Sequence, residues 1–89
     1  MIIVNQTIIH NTVHTIYDTG VESWFKVGTT QYHRLDGPAF IDPRINYMKY
    51  YLDGKSYTFK EYCTKVKTLI SDEEYFILIL TYGNQNETG

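Results

Sequence analysis

The sequence predicts an α+β fold: a small antiparallel β-meander sheet of roughly four to six strands, followed by two C-terminal helices. Three observations carry this expectation. Turn-forming residues punctuate the first two-thirds of the chain, at Asp18-Thr19-Gly20, Gly28-Thr29-Thr30, Asp36-Gly37-Pro38, Asp42-Pro43-Arg44 and Asp53-Gly54. Between them lie short runs rich in β-branched and aromatic residues. After Thr58 the apolar spacing changes to that of a helix, about 3.6 residues per turn. Finally, Trp24-Phe25-Lys26-Val27-Gly28 and Tyr50-Tyr51-Leu52-Asp53-Gly54 share one form, with aromatics and glycines both offset by 26 residues.

Residues 1–17 read as one or two strands, because Ile2, Val4, Ile8, Val13 and Ile16 are β-formers. Asn5-Gln6 or His10-Asn11 provides a turn within them. Asp18-Thr19-Gly20 is a tight turn. Val21–Val27 forms the next strand, with Val21, Ser23, Phe25 and Val27 on one face and Glu22, Trp24 and Lys26 on the other. Tyr32–Asp36 leads into the central stretch His33-Arg34-Leu35-Asp36-Gly37-Pro38-Ala39. There Gly37 is expected to take positive φ, Asp36 to bond nearby backbone amides, and Pro38 to open an edge strand. Arg34 and Asp36 lie within reach of an ion pair, worth about 0.2–1 kcal/mol when exposed. Ala39–Asp42 is a short strand, Pro43-Arg44 a break, Tyr47–Leu52 an aromatic strand, and Asp53-Gly54 a hairpin turn.

Thr58 and Glu61 have the spacing of a capping box. Phe59, Tyr62, Cys63, Val66, Leu69 and Ile70 then form one stripe, which predicts an amphipathic helix over about residues 59–70 packed on the sheet. Ser71-Asp72-Glu73-Glu74 is a second helix start, with acids where the dipole favours them. The apolar run Tyr75–Leu80 also suits a buried strand. The start at Ser71 and a stop at Gly83, read as the C′ residue, favour helix. Such a helix is apolar nearly all round and needs burial on more than one side. A chain of 89 residues offers little to bury it. Self-association through this helix, as a homodimer, is therefore a further expectation.

The length implies one domain, over residues 1–83, with the polar stretch 84–89 expected as a disordered tail. A domain this short buries roughly 60–65% of its unfolded surface, so its core is small. Aromatics make up 16% of the chain, with nine Tyr and one Trp. That composition suits a Tyr-rich sheet layer or a binding surface. A net charge of −2 argues against a general nucleic-acid binder. The lone Cys63 allows no intrachain disulfide and fits a reducing cytoplasm. Met1-Ile2-Ile3-Val4 has no basic n-region and is not read as a signal peptide, and no run is long enough to cross a bilayer.

Neither catalysis nor metal binding finds a convincing constellation. His10 and His14 would lie roughly 13 Å apart on a strand, too far for one ion. Cys63 falls on the apolar helix stripe, where a thiol behaves as a small hydrophobe. No glycine-rich phosphate loop precedes a helix. Asp72, Glu73 and Glu74 are explained by the helix dipole. Trp24, Tyr47, Tyr50 and Tyr51 could stack bases, but no basic groove accompanies them. Trp24 and Tyr50, at equivalent positions of the repeat, are expected to pack alike.

The segment Ile16–Gly28, with its Trp24-Phe25-Lys26-Val27-Gly28 ending, followed by His33-Arg34-Leu35-Asp36-Gly37-Pro38-Ala39, resembles MORN-like repeat proteins. More narrowly it is similar to the His-Arg-x-Asp-Gly-Pro-Ala variant of tailed phages and giant viruses. The resemblance covers about residues 15–55, with one complete copy; Pro43–Asn46 departs from the expected Asp-Gly turn, and Lys55-Ser56-Tyr57-Thr58 replaces a second central turn. It implies stacked β-hairpins, a phage origin and no shared catalytic residues or cofactor. By analogy it implies a non-enzymatic accessory protein in the host cytoplasm that binds and inhibits or redirects a host protein, as an anti-defence factor for example. Trp24, His33, Arg34, Asp36, Tyr47 and Tyr50 are then the candidate partner-binding residues. The alternative expectation is a protein that sequesters a nucleotide signal at a dimer interface.

Overall fold

The computed structural model describes residues 1–83; the tail expectation for 84–89 lies outside them. Six strands form one antiparallel meander in the order β1-β2-β3-β4-β5-β6, followed by two helices. The strands are β1 (Ile3–Ile9), β2 (Thr12–Tyr17), β3 (Glu22–Lys26), β4 (Phe40–Asp42), β5 (Tyr47–Leu52) and β6 (Lys55–Tyr57). The helices are α1 (Phe59–Val66) and α2 (Asp72–Tyr82). The α+β class, the meander and both helices follow the sequence.

Positive φ at paired positions makes two of the hairpins tight. His10 and Asn11 sit at φ 50 and 62, and Asp53 and Gly54 at 51 and 83. Two successive residues of this kind give the type I′ geometry that matches strand twist. The first settles the turn at His10-Asn11 rather than Asn5-Gln6. The second closes onto β6, a short strand with no periodicity of its own in the sequence.

The central stretch is where the meander departs from a simple one. Tyr32 bridges Phe25, and His33 donates its N–H to the Trp24 carbonyl at 3.0 Å. Trp24 in turn donates its N–H to the Ala39 carbonyl at 2.9 Å, and Phe40 pairs Ser23. Residues 31–33 and 39–42 are therefore one strand with the 34–38 loop pushed out of it, and the Trp24 backbone spans the gap. On the other side Arg34 donates to the Tyr51 carbonyl and Ala39 to the Lys49 carbonyl, so Tyr50 stands opposite the same gap. This corrects two expectations. Pro38 does not open an edge strand, because β4 lies between β3 and β5. Gly37 does not take positive φ; what it supplies is the absence of a side chain. A Cβ there would lie 2.8 Å from Arg34 Cζ and 3.1 Å from Tyr82 Cε2.

The core lies between β5 and the helices. Tyr50, Leu52, Tyr62, Cys63, Val66 and Leu78 form it, flanked by Leu35, Tyr57, Phe59, Ile70, Tyr75 and Tyr82. Both helices begin with complete capping boxes, Thr58 with Glu61 and Ser71 with Glu74. α1 ends at Val66, short of the expected residue 70; the last apolar residues of its stripe fall in the turn before Ser71. Gly83 is right-handed, with φ −56 and ψ −46, and so is not the left-handed C′ residue expected of it. No helix among the described residues is long and apolar enough to cross a membrane.

Candidate interaction surface

The 34–38 loop is tied down from three directions. The Arg34 guanidinium lies over the Trp24 ring, its Cζ 3.9 Å from the ring centroid. It also donates to Asp36 Oδ1 at 2.8 Å and to the Pro38 carbonyl at 3.1 Å. The expected Arg34–Asp36 pair is thus present, as one part of a larger clamp. The His14 ring, directly across from Trp24 on β2, stacks on the indole at 4.1 Å and 7°. His14 Nε2 is 2.7 Å from Glu22 Oε1, which fixes that ring in turn. From the helix layer, the Tyr62 hydroxyl donates to the Arg34 carbonyl and accepts from the Gly37 N–H. Burial pushes the Tyr62 hydroxyl far above its ordinary pKa, so it remains a neutral donor.

His33 immediately precedes the loop. Its Nδ1 accepts the Asp53 N–H at 3.0 Å, and Lys26 pairs with the Asp53 carboxylate. Burial lowers the His33 pKa below 6.5, opposed by Asp53 and assisted by Lys26. The Lys26 hydrogen bond, with its charge, holds Asp53 below the usual carboxylate range.

The six residues singled out as partner contacts therefore occupy different places. Trp24 and Tyr50 are buried, at 8% and 2% exposure, on the helix-covered side of the sheet. They share that side but not their neighbours: Trp24 lies between His14 and Arg34, whereas Tyr50 packs against Phe59, Tyr62 and Tyr82. The expectation of like packing holds for the sheet face alone, because α1 packs on β5 and β6 whereas the Arg34 guanidinium covers Trp24. His33 and Arg34 are held inside the frame. Asp36 has an exposed carboxylate next to Arg34. Tyr47 is exposed on the opposite sheet face, at the end of an aromatic ribbon in which Phe25 stacks on Tyr32, Tyr32 contacts Tyr51 and Phe40, and Phe40 meets Tyr47.

A second kind of surface, apolar and open, lies on the last helix. In α2, Tyr75, Leu78 and Tyr82 face inward, at positions i, i+3 and i+7, and only Leu78 is fully buried. On its outer side Phe76 is 61% exposed, Ile77 53% and Leu80 63%, and Leu69 just before the helix is also open. The run expected to need burial on several sides is buried on one. Asp72, Glu73 and Glu74 make up the acidic first turn of α2, Glu74 being held acidic by its bonds to Ser71. A cleft of about 260 Å³ runs from the β1–β2 turn to this helix start, lined by Ile9, His10, Trp24, Arg34, Leu69 and Glu74 among others.

Other chemistry is sparse. Among the described residues no group of three or more His, Cys, Asp or Glu is placed to hold a metal ion. Cys63 is buried in the core, and burial pushes its thiol up, away from the reactive thiolate. No family model, curated protein or solved structure matches the chain.

Proposed function

We propose that the chain is a non-enzymatic interaction protein that presents the outer side of α2 to a protein partner, in keeping with a phage accessory factor acting on a host protein. The observation that carries this reading is the exposure of Phe76, Ile77 and Leu80 on a helix whose other side is packed. Contiguous exposed apolar patches of this kind mark contact surfaces. Full burial of such side chains contributes about 1.5–3 kcal/mol each, and part of that gain is still open to them. The partner fits as an apolar groove with basic residues at one end, facing Asp72 and Glu73. The MORN-like resemblance supports the viral context, and the rigid clamp around Arg34 supports a role for the sheet as scaffold.

The test is capture from host extract by the wild-type chain and by Phe76→Asp and Leu80→Asp. The wild type retains a stoichiometric partner, and both variants lose it with an unchanged circular dichroism spectrum. A partner retained by both variants would overturn the assignment to α2. Loss of self-association in the variants, with no foreign protein bound to the wild type, would make α2 a homodimer face instead.

A further inference from the structure

We propose that the open edge of β1 is a homodimer seam, in which two copies pair their β1 strands antiparallel about a two-fold axis through Gln6. β1 is the first strand of the sheet and, among the described residues, pairs only with β2. All seven of its residues are exposed, with Ile3, Val4, Ile8 and Ile9 between 50% and 70%. An edge strand offers a row of unpaired backbone groups, and folds ordinarily blunt such edges with charge, proline or brevity. This one has neither charge nor proline: residues 1–17 contain no Asp, Glu, Lys, Arg or Pro. The opposite edge shows the contrast. β6 has three residues and begins with an exposed lysine, Lys55.

The sequence of β1 selects a second copy as the occupant. Ile3-Val4-Asn5-Gln6-Thr7-Ile8-Ile9 reads apolar, apolar, polar, polar, polar, apolar, apolar. Reversed about Gln6 the pattern maps onto itself. In an antiparallel pair centred there, Asn5 meets Thr7 and Gln6 meets its own copy within the regular run, and beyond the register shift at Val4 the apolar end Ile3-Val4 of one copy lies beside the apolar end Ile8-Ile9 of the other. Matched cross-strand pairs of this kind stabilise a sheet, and the absence of charge leaves nothing to repel. The irregularity between Ile3 and Asn5 sits at one end of the strand, so the positions beside the axis belong to the regular run that pairs with Thr12–Ile16. Each copy has one such edge, so the contact is isologous and closes as a dimer. The axis stands perpendicular to the sheet. It therefore puts both helix layers on one side of a continuous sheet of twice the strand number and leaves the outer side of each α2 free.

The experiment is mass in solution by sedimentation for the wild type, Gln6→Lys and Phe76→Asp, with oxidative cross-linking of Gln6→Cys. The wild type has twice the 10.5 kDa mass of one chain. Gln6→Lys sets two ammonium groups face to face at the axis and halves the mass with an unchanged circular dichroism spectrum. Phe76→Asp leaves the dimer intact. Gln6→Cys gives a covalent dimer without reductant, and the wild type, whose Cys63 is buried, does not. A wild type of single-chain mass at every concentration overturns the seam, as does a dimer that survives Gln6→Lys. Failure of the α2 variants to lose a partner bears on the proposed function and leaves this result untouched.

Discussion

Tyr62 reaches from α1 to place its hydroxyl oxygen 3.1 Å from the Gly37 backbone nitrogen. The same oxygen donates to the Arg34 carbonyl. One side chain thereby satisfies a donor and an acceptor of a loop that has left its sheet, at a site where Tyr62 has 0% exposure. Removing only the oxygen leaves the ring packed on Tyr50 and strands both backbone groups. Tyr62→Phe is expected to cost about 1–3 kcal/mol, the penalty for an unpaired buried polar group. Urea unfolding measures it, and amide exchange at Gly37 accelerates; a change below a few tenths of a kcal/mol would mean that water replaces the hydroxyl.

Gly37 is a second, independent test of the clamp. Its φ is not left-handed, so the usual reason for glycine does not apply. Its Cα lies against the Arg34 guanidinium, which is held by Trp24, Asp36 and the Pro38 carbonyl at once. An added methyl forces that group off the indole. Gly37→Ala is expected to destabilise by about 1–3 kcal/mol, as overpacking does. It also changes Trp24 fluorescence, because the cation over the ring is displaced; an unchanged emission spectrum would show that the guanidinium moves without leaving it.

The parts of this fold that were legible in the sequence are those fixed locally. Thr58 with Glu61 and Ser71 with Glu74 each announce a helix start, and paired φ-tolerant residues such as Asp53-Gly54 announce hairpins. The apolar excess of α2 was legible too, since its side chains outnumber the surface available to cover them. What was not legible depended on distant partners. Nothing near Gly37 shows that Arg34 folds back over it, or that Tyr62, 25 residues on, fills the space beneath. Trp24 and Arg34 read as contact residues because aromatic and guanidinium groups suit both interfaces and internal stacks. Only the neighbouring His14 strand and the helix layer decide between them. The edge position of β1 likewise follows from strand order, not from its residues.

The two sides of α2 separate packing from surface. Leu78 is 1% exposed and belongs to the core, whereas Leu80, two residues on, is 63% exposed. Leu78→Ala is expected to cost about 2–5 kcal/mol, and Leu80→Ser to stay within about 0.5 kcal/mol of the wild type. Thermal or urea unfolding of the isolated chain checks both. A large loss for Leu80→Ser would mean that the outer side of α2 is covered in solution by a second copy.

His33 gives the fold a pH dependence whose direction follows from its surroundings. Burial holds its folded pKa below the ordinary 6.5, and its Nδ1 serves as acceptor to the Asp53 N–H. Above 6.5 the ring is neutral in both the folded and the unfolded chain, and its contribution is fully present. As the pH falls through 6.5, the unfolded chain takes up the proton first, so stability drops toward the folded pKa. The carboxylates held low by partners, Asp42 by Arg44, Asp53 by Lys26 and Glu74 by Ser71, lose their contributions only below their ordinary values of 3.8 to 4.5. A window from about pH 7.5 to 5.5 therefore isolates the histidines. Wild-type stability is expected to fall across it. His33→Asn keeps an acceptor near Asp53 without the titration and gives a shallower slope, while His10 and His14 remain common to both proteins. Urea unfolding at matched ionic strength reads the two slopes, and parallel lines would show that His33 does not carry the acid sensitivity.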